Sequence, residues 1–364
     1  MIFKDLRNIL KEKIINLIPD TARINALGEA GQSMVAEFEN LALQVFEYQY
    51  KYNAFYRRYC SLIGKDLSKI SHLLDIPFLP IQFFKNNIIK TSEWKEATIF
   101  SSSGTTGAIT SQHFVRELDF YKNIARQGFE FFYGSIENYC VLGLLPSYLE
   151  RGGSSLVTMT DDFIKHSKYA DSGFFLYDYS KLHKILLKNE EDKIPTLLIG
   201  VSFALLDFVE KFTIDFTELI VMETGGMKGR RREMIRDELH ESIKKGFNVQ
   251  HIHSEYGMTE LMSQAYSKGE GIFNSIPTMK VLIRELNDPL TVFDPLSNFD
   301  IPDNIVPTNG RMGVVNVIDL GNLDSCSFIA TDDLSRVYDN GSFTILGRLD
   351  NSDIRGCNLM IGNG

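Results

Sequence analysis

From about residue 96 onward, short apolar runs alternate with helical patterns, and this alternation restricts the chain to few folds. ATIF (97–100), NYCVLGLL (138–145), GFFLYD (173–178), TLLIGV (196–201), LIVME (219–223) and VQHIH (249–253) read as buried strands, with helices expected over 179–190, 202–212 and 230–244 between them. Apolar strands separated by helices make a parallel α/β layer structure. After about residue 272 the pattern changes to MKVLIREL, GVVNVIDL, SFIAT and SFTILG, with turn signals at Asn309-Gly310 and Asn340-Gly341, so a mostly β subdomain follows.

The first hundred residues look different. Met34, Phe38, Leu41, Val45, Tyr48, Tyr52, Phe55 and Tyr59 recur at spacings of four and three along one face of a long helix. Such a stripe is read as core, with a docking face for a partner as the alternative. IPFLPIQFFK, ending at Lys85, holds two prolines in an apolar run and reads as an extended entry into the next domain.

Apolar residues make up 44% of the 364 positions against 23% charged, which supplies a large core and excludes a disordered chain. The net charge of −9 weighs against a nucleic-acid partner. The longest nearly uncharged apolar stretch, Ile194 to Leu206, falls short of the roughly 18 to 20 residues of a membrane span. MIFKDLRNILKEK has no apolar signal-peptide core, so the cytoplasm is the expected location. Cys60, Cys140, Cys326 and Cys357 are scattered without metal-ligand spacing.

Two stretches carry chemistry. Ser101 to Gly107, reading SSSGTTG directly after a strand, offers hydroxyl and backbone N–H donors to phosphate oxygens, or is an ordinary surface loop. It is no Walker loop, because Ala108-Ile109-Thr110 stands where Gly-Lys-Ser/Thr would be needed. In SEYGMTE, Tyr256 and Gly257 put a ring and a permissive backbone at the carboxyl end of a parallel sheet, where α/β folds bind ligands. Thr259 and Glu260 then offer oxygens to phosphate and Mg²⁺, or simply open a helix. A third feature, Lys228-Gly229-Arg230-Arg231-Arg232 at an expected helix start, suits a bound anion or a solvated face, and Gly225 and Gly226 before it allow close backbone approach.

SSSGTTG followed by EYGMTE resembles the adenylate-forming superfamily of acyl and aryl ligases. Thr331-Asp332-Asp333-Leu334 looks like that superfamily's Thr-Gly-Asp motif, and Gly347-Arg348-Leu349-Asp350 with Asp353-Ile354-Arg355-Gly356 looks like its hinge. Within it, PFLPIQFFK, PSYLERGGSSLV, ETGGMKGR and SEYGMTELMSQAY resemble the acyl-protein synthetases, the LuxE type, over most of residues 77–364.

The resemblance implies ATP and Mg²⁺ as cofactors, a fatty or other carboxylic acid as substrate, and acyl transfer through a cysteine to a partner acyl reductase. Ser103, Gly104, Thr105, Thr106 and Gly107 would hold the ATP phosphates, with Lys228 nearby. Gly225, Gly226, Tyr256 and Gly257 would line the adenine and acyl-adenylate. Thr259 would meet the α-phosphate, Glu260 would bind Mg²⁺, Asp333 the ribose hydroxyls and Arg348 the hinge side of the site. Cys357 would accept the acyl group, or is a lone small hydrophobe.

The expected architecture is therefore an α/β adenylate-forming N-terminal-type domain lacking the mobile C-terminal domain. Its parts are a helical region (1–95), an adenylation core (96–271), a β-rich subdomain with the ribose and hinge motifs (272–350) and a tail (351–364). A ligase completed by a domain in trans and a non-catalytic acyl-nucleotide binding module stand as alternatives. Acyl length, final acceptor and oligomeric state are not read from the sequence.

Overall fold

The computed structural model describes residues 3–19, 31–65, 69–102, 110–146, 152–225, 236–294 and 310–349. The apolar runs become strands where both faces are covered: β4 (Cys140–Leu144) and β6 (Thr196–Val201) are buried at every position, as expected of parallel strands under helices. With β5 (Gly173–Phe174), β7 (Ile220–Thr224) and β8 (His253–Tyr256) they form a parallel block in the order β5-β4-β6-β7-β8. Helices 155–166, 179–191, 202–209 and 236–247 connect these strands. Ser154 and Asp178 start the first two by accepting from the backbone N–H groups of Val157 and Lys181, three residues into each turn.

Beyond β8 the same sheet continues antiparallel. The strands there are β9 (Ala265–Ser267), β10 (Ile272–Ser275), β11 (Met279–Arg284), β12 (Val292–Phe293), β13 (Gly310–Asp319), β14 (Phe328–Tyr338) and β15 (Phe343–Arg348). They follow β8 in the order β9-β10-β15-β14-β13-β11-β12. The Asn340-Gly341 turn between β14 and β15 has Gly341 at a φ of 82°, and Asn340 accepts from the Ser342 N–H at 3.0 Å. A separate two-stranded sheet joins β2 (Thr98–Ser101) to β3 (Gln112–Val115), which flank the SSSGTTG stretch.

One edge of β14 has two partners. The short strand β1 (Leu79–Pro80) pairs in parallel with Ile329 and Ala330, while β15 pairs antiparallel from Asp333 onward. Thr331 and Asp332 lie at the junction, where Ile81 N–H donates to the Ala330 carbonyl (2.9 Å) and Leu349 N–H to that of Asp332 (2.7 Å). This junction faces the site.

Three expectations are corrected. VQHIH is not itself a strand: β8 begins at His253 and continues through Glu255 and Tyr256, so those two side chains point to opposite faces. The long aromatic helix is two helices, Gly31–Tyr52 and Ala54–Leu62, because Asn53 interrupts the first and caps the second through a 2.9 Å bond from Tyr56 N–H. After the extended β1, residues 83–86 of IPFLPIQFFK form a single helical turn rather than continuing extended.

The aromatic stripe is core. Phe38, Leu41, Val45 and Tyr48 are buried, and Phe46, Tyr56 and Phe78 pack rings against Phe328 of β14 at 6.0, 6.1 and 6.3 Å between centroids. A face so covered is not available for docking. Gln49 reaches from the first of these helices to Ser327, accepting its N–H at 2.9 Å and donating to the Asn322 carbonyl at 2.9 Å. Near the N-terminus Arg7, 2% exposed, pairs with Asp324 and Glu117 and so joins helix 3–16 to the loop before β14.

Candidate functional site

Two cavities lie along the end of β8, one of about 390 Å³ and one of about 430 Å³. They share Gly225, Glu255, Gly257, Met258, Asp333 and Arg348 as a common wall. The position follows from topology, since β7 and β8 end there side by side and the antiparallel half of the sheet begins next to them.

Tyr256, Asp333 and Arg348, far apart in sequence, form one constellation. The Tyr256 hydroxyl donates to Asp333 Oδ2 at 2.8 Å, and Arg348 Nε donates to Oδ1 at 3.1 Å. Asp333 and Arg348 are direct cross-strand partners on β14 and β15, which is why the pair forms. Burial, with the neighbouring carboxylate, holds the Tyr256 phenol well above its ordinary value, so it stays a proton donor. Each Asp333 oxygen carries two lone pairs and, among the described residues, uses one on these partners.

Thr259 and Glu260 occupy a turn pinned from behind. His113 of β3 lies with Nδ1 2.9 Å from the Thr259 carbonyl, and Asn322 Nδ2 donates to the Glu260 carbonyl at 2.8 Å. Burial lowers the His113 pKa to about 4, so the ring is neutral and Nδ1, facing a carbonyl, carries the proton. Glu260 is 6% exposed; burial raises its carboxyl pKa, opposed by the Ser111 hydroxyl and by the charges of Arg348 and Lys85.

Asp332 stands where the resembled motif has Gly, and its carboxylate is occupied. Gln82 Nε2 sits 2.6 and 2.7 Å from its two oxygens. Behind them Arg284 of β11, 8% exposed, donates to the Val315 carbonyl and to Asn316 Oδ1, both at 2.8 Å, and to the Thr331 carbonyl. Burial lowers its pKa to about 10, so it remains cationic beside Asp332.

Gly225, Gly257, Thr259, Glu260, Asp333 and Arg348 therefore all border the smaller cavity, and Tyr256 borders the larger. Ser103 to Gly107, Gly226, Lys228 and Cys357 lie outside the described residues. Cys60, Cys140 and Cys326 are buried, and burial pushes the Cys60 thiol up to about 12, as suits packing rather than chemistry. His253 meets the Tyr133 hydroxyl at 3.1 Å. Sequence reasoning missed Gln82, Lys85, His113, Glu255 and Gln264. Gln82 and Lys85 belong to PFLPIQFFK and Glu255 to SEYGMTE, so their signal was the segment itself.

Among the described residues no helix is long and apolar enough to cross a membrane. The chain matches no sequence among curated proteins. Among solved structures it is similar to ATP-bound MatB from Rhodopseudomonas palustris, with 13% identity over 72% of this chain and 49% of that one and a TM-score of 0.46. It is also similar to a long-chain-fatty-acid-CoA ligase from Archaeoglobus fulgidus, with 13% identity over 69% and 51% and a TM-score of 0.47. A third is O-succinylbenzoate coenzyme A synthetase from Bacillus subtilis in complex with ATP and magnesium, with 15% identity over 72% and 54% and a TM-score of 0.46. The chain spans about half the length of these structures. Residues 3–125 match the family model described as acyl-protein synthetase, LuxE, the same family that the motifs of residues 77–364 resemble.

Proposed function

We propose that the protein activates a carboxylic acid with ATP, forming an acyl-adenylate and pyrophosphate, and passes the acyl group to Cys357 and then to a partner acyl reductase. One observation carries the first part: Tyr256, Asp333 and Arg348 converge with the Thr259–Glu260 turn and Gly225 on the joined walls of two cavities. The match of residues 3–125 to the acyl-protein synthetases supports it.

The donor set suits a nucleotide with Mg²⁺. Among the described residues Asp333 uses one acceptor site on each oxygen, and the second on each fits the two hydroxyls of a ribose. At Gly257 a Cβ would stand 2.3 Å from Glu255 Oε1, so a side chain there would push the Glu255 carboxyl out of its place on the cavity wall. Glu260 is the carboxylate for Mg²⁺; the metal, when bound, offsets charge on the phosphates.

In the first step a carboxylate oxygen of the acid attacks the α-phosphorus, an O–P bond forms, and the bond to pyrophosphate breaks. Thr259 offers its hydroxyl to the α-phosphate and Arg348 its charge, while the neutral His113 holds the Thr259 carbonyl and fixes the turn. In the second step the Cys357 thiolate attacks the acyl carbon, a C–S bond forms and AMP leaves. No proton has to move in the first step. The thioester then goes to a reductase, because the Gly-rich stretches at 104–107 and 225–229 lack a dinucleotide fingerprint.

Acid-dependent ATP–pyrophosphate exchange tests the first step. Glu260→Gln should lower its rate by about 10² or more while ATP still binds, the signature of an interaction made mainly in the reacting complex. Cys357→Ser should keep exchange and lose covalent acylation. Exchange by Glu260→Gln equal to wild type at limiting Mg²⁺ would overturn the role of Glu260. Label retained by Cys357→Ser would move the acceptor elsewhere, and discharge of acyl groups to free coenzyme A would favour a ligase.

A further inference from the structure

The lining of the smaller cavity grades from Lys85, which is exposed, to Tyr121, Met159 and Gln264, which are 1%, 1% and 3% exposed. Polar Gln264 thus stands among the buried lining residues together with Tyr121 and Met159. Gln264 donates from Nε2 to the Met262 carbonyl at 3.2 Å. A carbonyl can only accept, so this bond fixes the orientation of the amide and turns Oε1 the other way. That Oε1 is buried and meets no donor among the described residues.

Glu255 stands beside it. A Cβ built on Gly257 would be 2.3 Å from Glu255 Oε1 and 3.5 Å from Gln264 Cγ, so the two side chains cover the same face of that glycine. Glu255 Oε2 accepts from the Thr224 hydroxyl at 2.7 Å. The neighbouring Tyr121 hydroxyl donates to the Ser155 carbonyl at 2.9 Å and has no proton left to give Gln264. The buried Gln264 amide oxygen, beside the Glu255 carboxyl, is therefore an acceptor with no donor among the described residues.

We propose that the acid taken by this site carries a hydrogen-bond donor, a hydroxyl or amino group remote from its carboxylate, and that Gln264 receives that donor with Glu255 at its side. This rests on the acid-activation reading and narrows its substrate class. A site that pairs a substrate donor rejects the matching hydrocarbon strongly, because binding the hydrocarbon leaves the buried amide oxygen unpaired. Burial raises the Glu255 pKa to about 7, so near neutral pH the carboxyl can face either a hydroxyl or an ammonium group.

The test compares matched acids that differ in one group: hydroxylated, aminated and plain acids of equal length, and hydroxybenzoate against benzoate. Two readouts are taken on the full chain, ATP–pyrophosphate exchange and the rise in Tm on adding each acid. The hydroxylated or aminated member should be favoured by about 100-fold in kcat/KM and should raise Tm more, and the preferred arm identifies the donor. Gln264→Leu, close in size but without the acceptor, should shrink the preference at least tenfold; Glu255→Gln provides a second variant if that one folds poorly. Preference for plain alkanoic acids, or an undiminished ratio in Gln264→Leu, would overturn the inference and assign Gln264 Oε1 to a buried water. If no acid drives exchange, the activation reading fails separately; equal Tm shifts across each pair would then overturn the substrate class as well.

Discussion

Glu255 and His113 sit on adjoining parts of one site and titrate in opposite directions. Burial is the main cause for both: it disfavours the charged form, raising the Glu255 pKa from 4.5 to about 7 and lowering that of His113 from 6.5 to about 4. For Glu255 the folded chain keeps a proton that the unfolded chain loses, so its contribution is full below pH 4.5 and disappears as pH rises through 7. For His113 the unfolded chain takes up a proton that the folded one refuses, so stability falls as pH drops from 6.5 toward 4. Glu255→Gln cannot ionise, so its stability relative to wild type should grow between pH 5 and pH 8 by roughly 2–3 kcal/mol and then level off. Thermal melts of both proteins across that range check this, and a constant difference would show that Glu255 is ionised throughout.

Asp333 and Arg348 were singled out by the resemblance to the ligase motifs and Tyr256 by its place at a strand end, and the structure brings the three together. Gln264 and His113 were not legible. Their places come from a register and a turn: β3 sets His113 against the Thr259 carbonyl from 146 positions away, and only packing shows that Gln264 Oε1 has no donor among the described residues.

At the scale of elements, the most apolar strands were read within a few residues, β3, β9 and β10 were not read at all, and the strand order was not legible. Apolar runs announce burial, so β4, β6 and β7 fall where expected, but a run does not say which neighbour it pairs with. The pairing of β10 with β15 and the insertion of β1 beside β14 both join segments distant in sequence. That insertion also explains Gln82: once Leu79 and Pro80 lie along β14, Gln82 falls opposite Asp332 and engages its carboxylate. Gln82→Ala should cost about 1–2 kcal/mol of stability and, if Asp333 holds ribose as proposed, raise the KM for ATP several-fold, because the freed Asp332 carboxylate stands next to it. Urea denaturation and exchange kinetics measure both, and a loss of stability with an unchanged KM would confine Gln82 to a structural part.

For the whole molecule, the helical N-terminal residues and the sheet share one hydrophobic core. Arg7 is central to the attachment: it pairs with Asp324 and Glu117, while Arg116 also meets Asp324 at 3.1 Å and Lys11 also meets Glu117. Arg7→Met would leave each carboxylate with one cation and strip the buried side of its donor, for a loss of roughly 3 kcal/mol. Combining it with Asp324→Asn should recover part of that loss, since the charge left behind is then removed as well. Chemical denaturation of the single and double variants decides, and additive losses would mean that the two residues do not act as a pair.

The shared edge of β14 gives the N-terminal residues a further duty. Strand β1 covers the stretch Ile329–Ala330 that β15 leaves open, so it acts as a selvedge that keeps the weave from fraying. A chain cut to start at residue 96 would keep most of the cavity lining, yet it would bare backbone donors and acceptors beside Thr331, next to Asp333 on the cavity wall. Such a fragment would recruit any extended peptide to the raw edge, its own copies first, and the binding groove would be the part to disappear inside the aggregate.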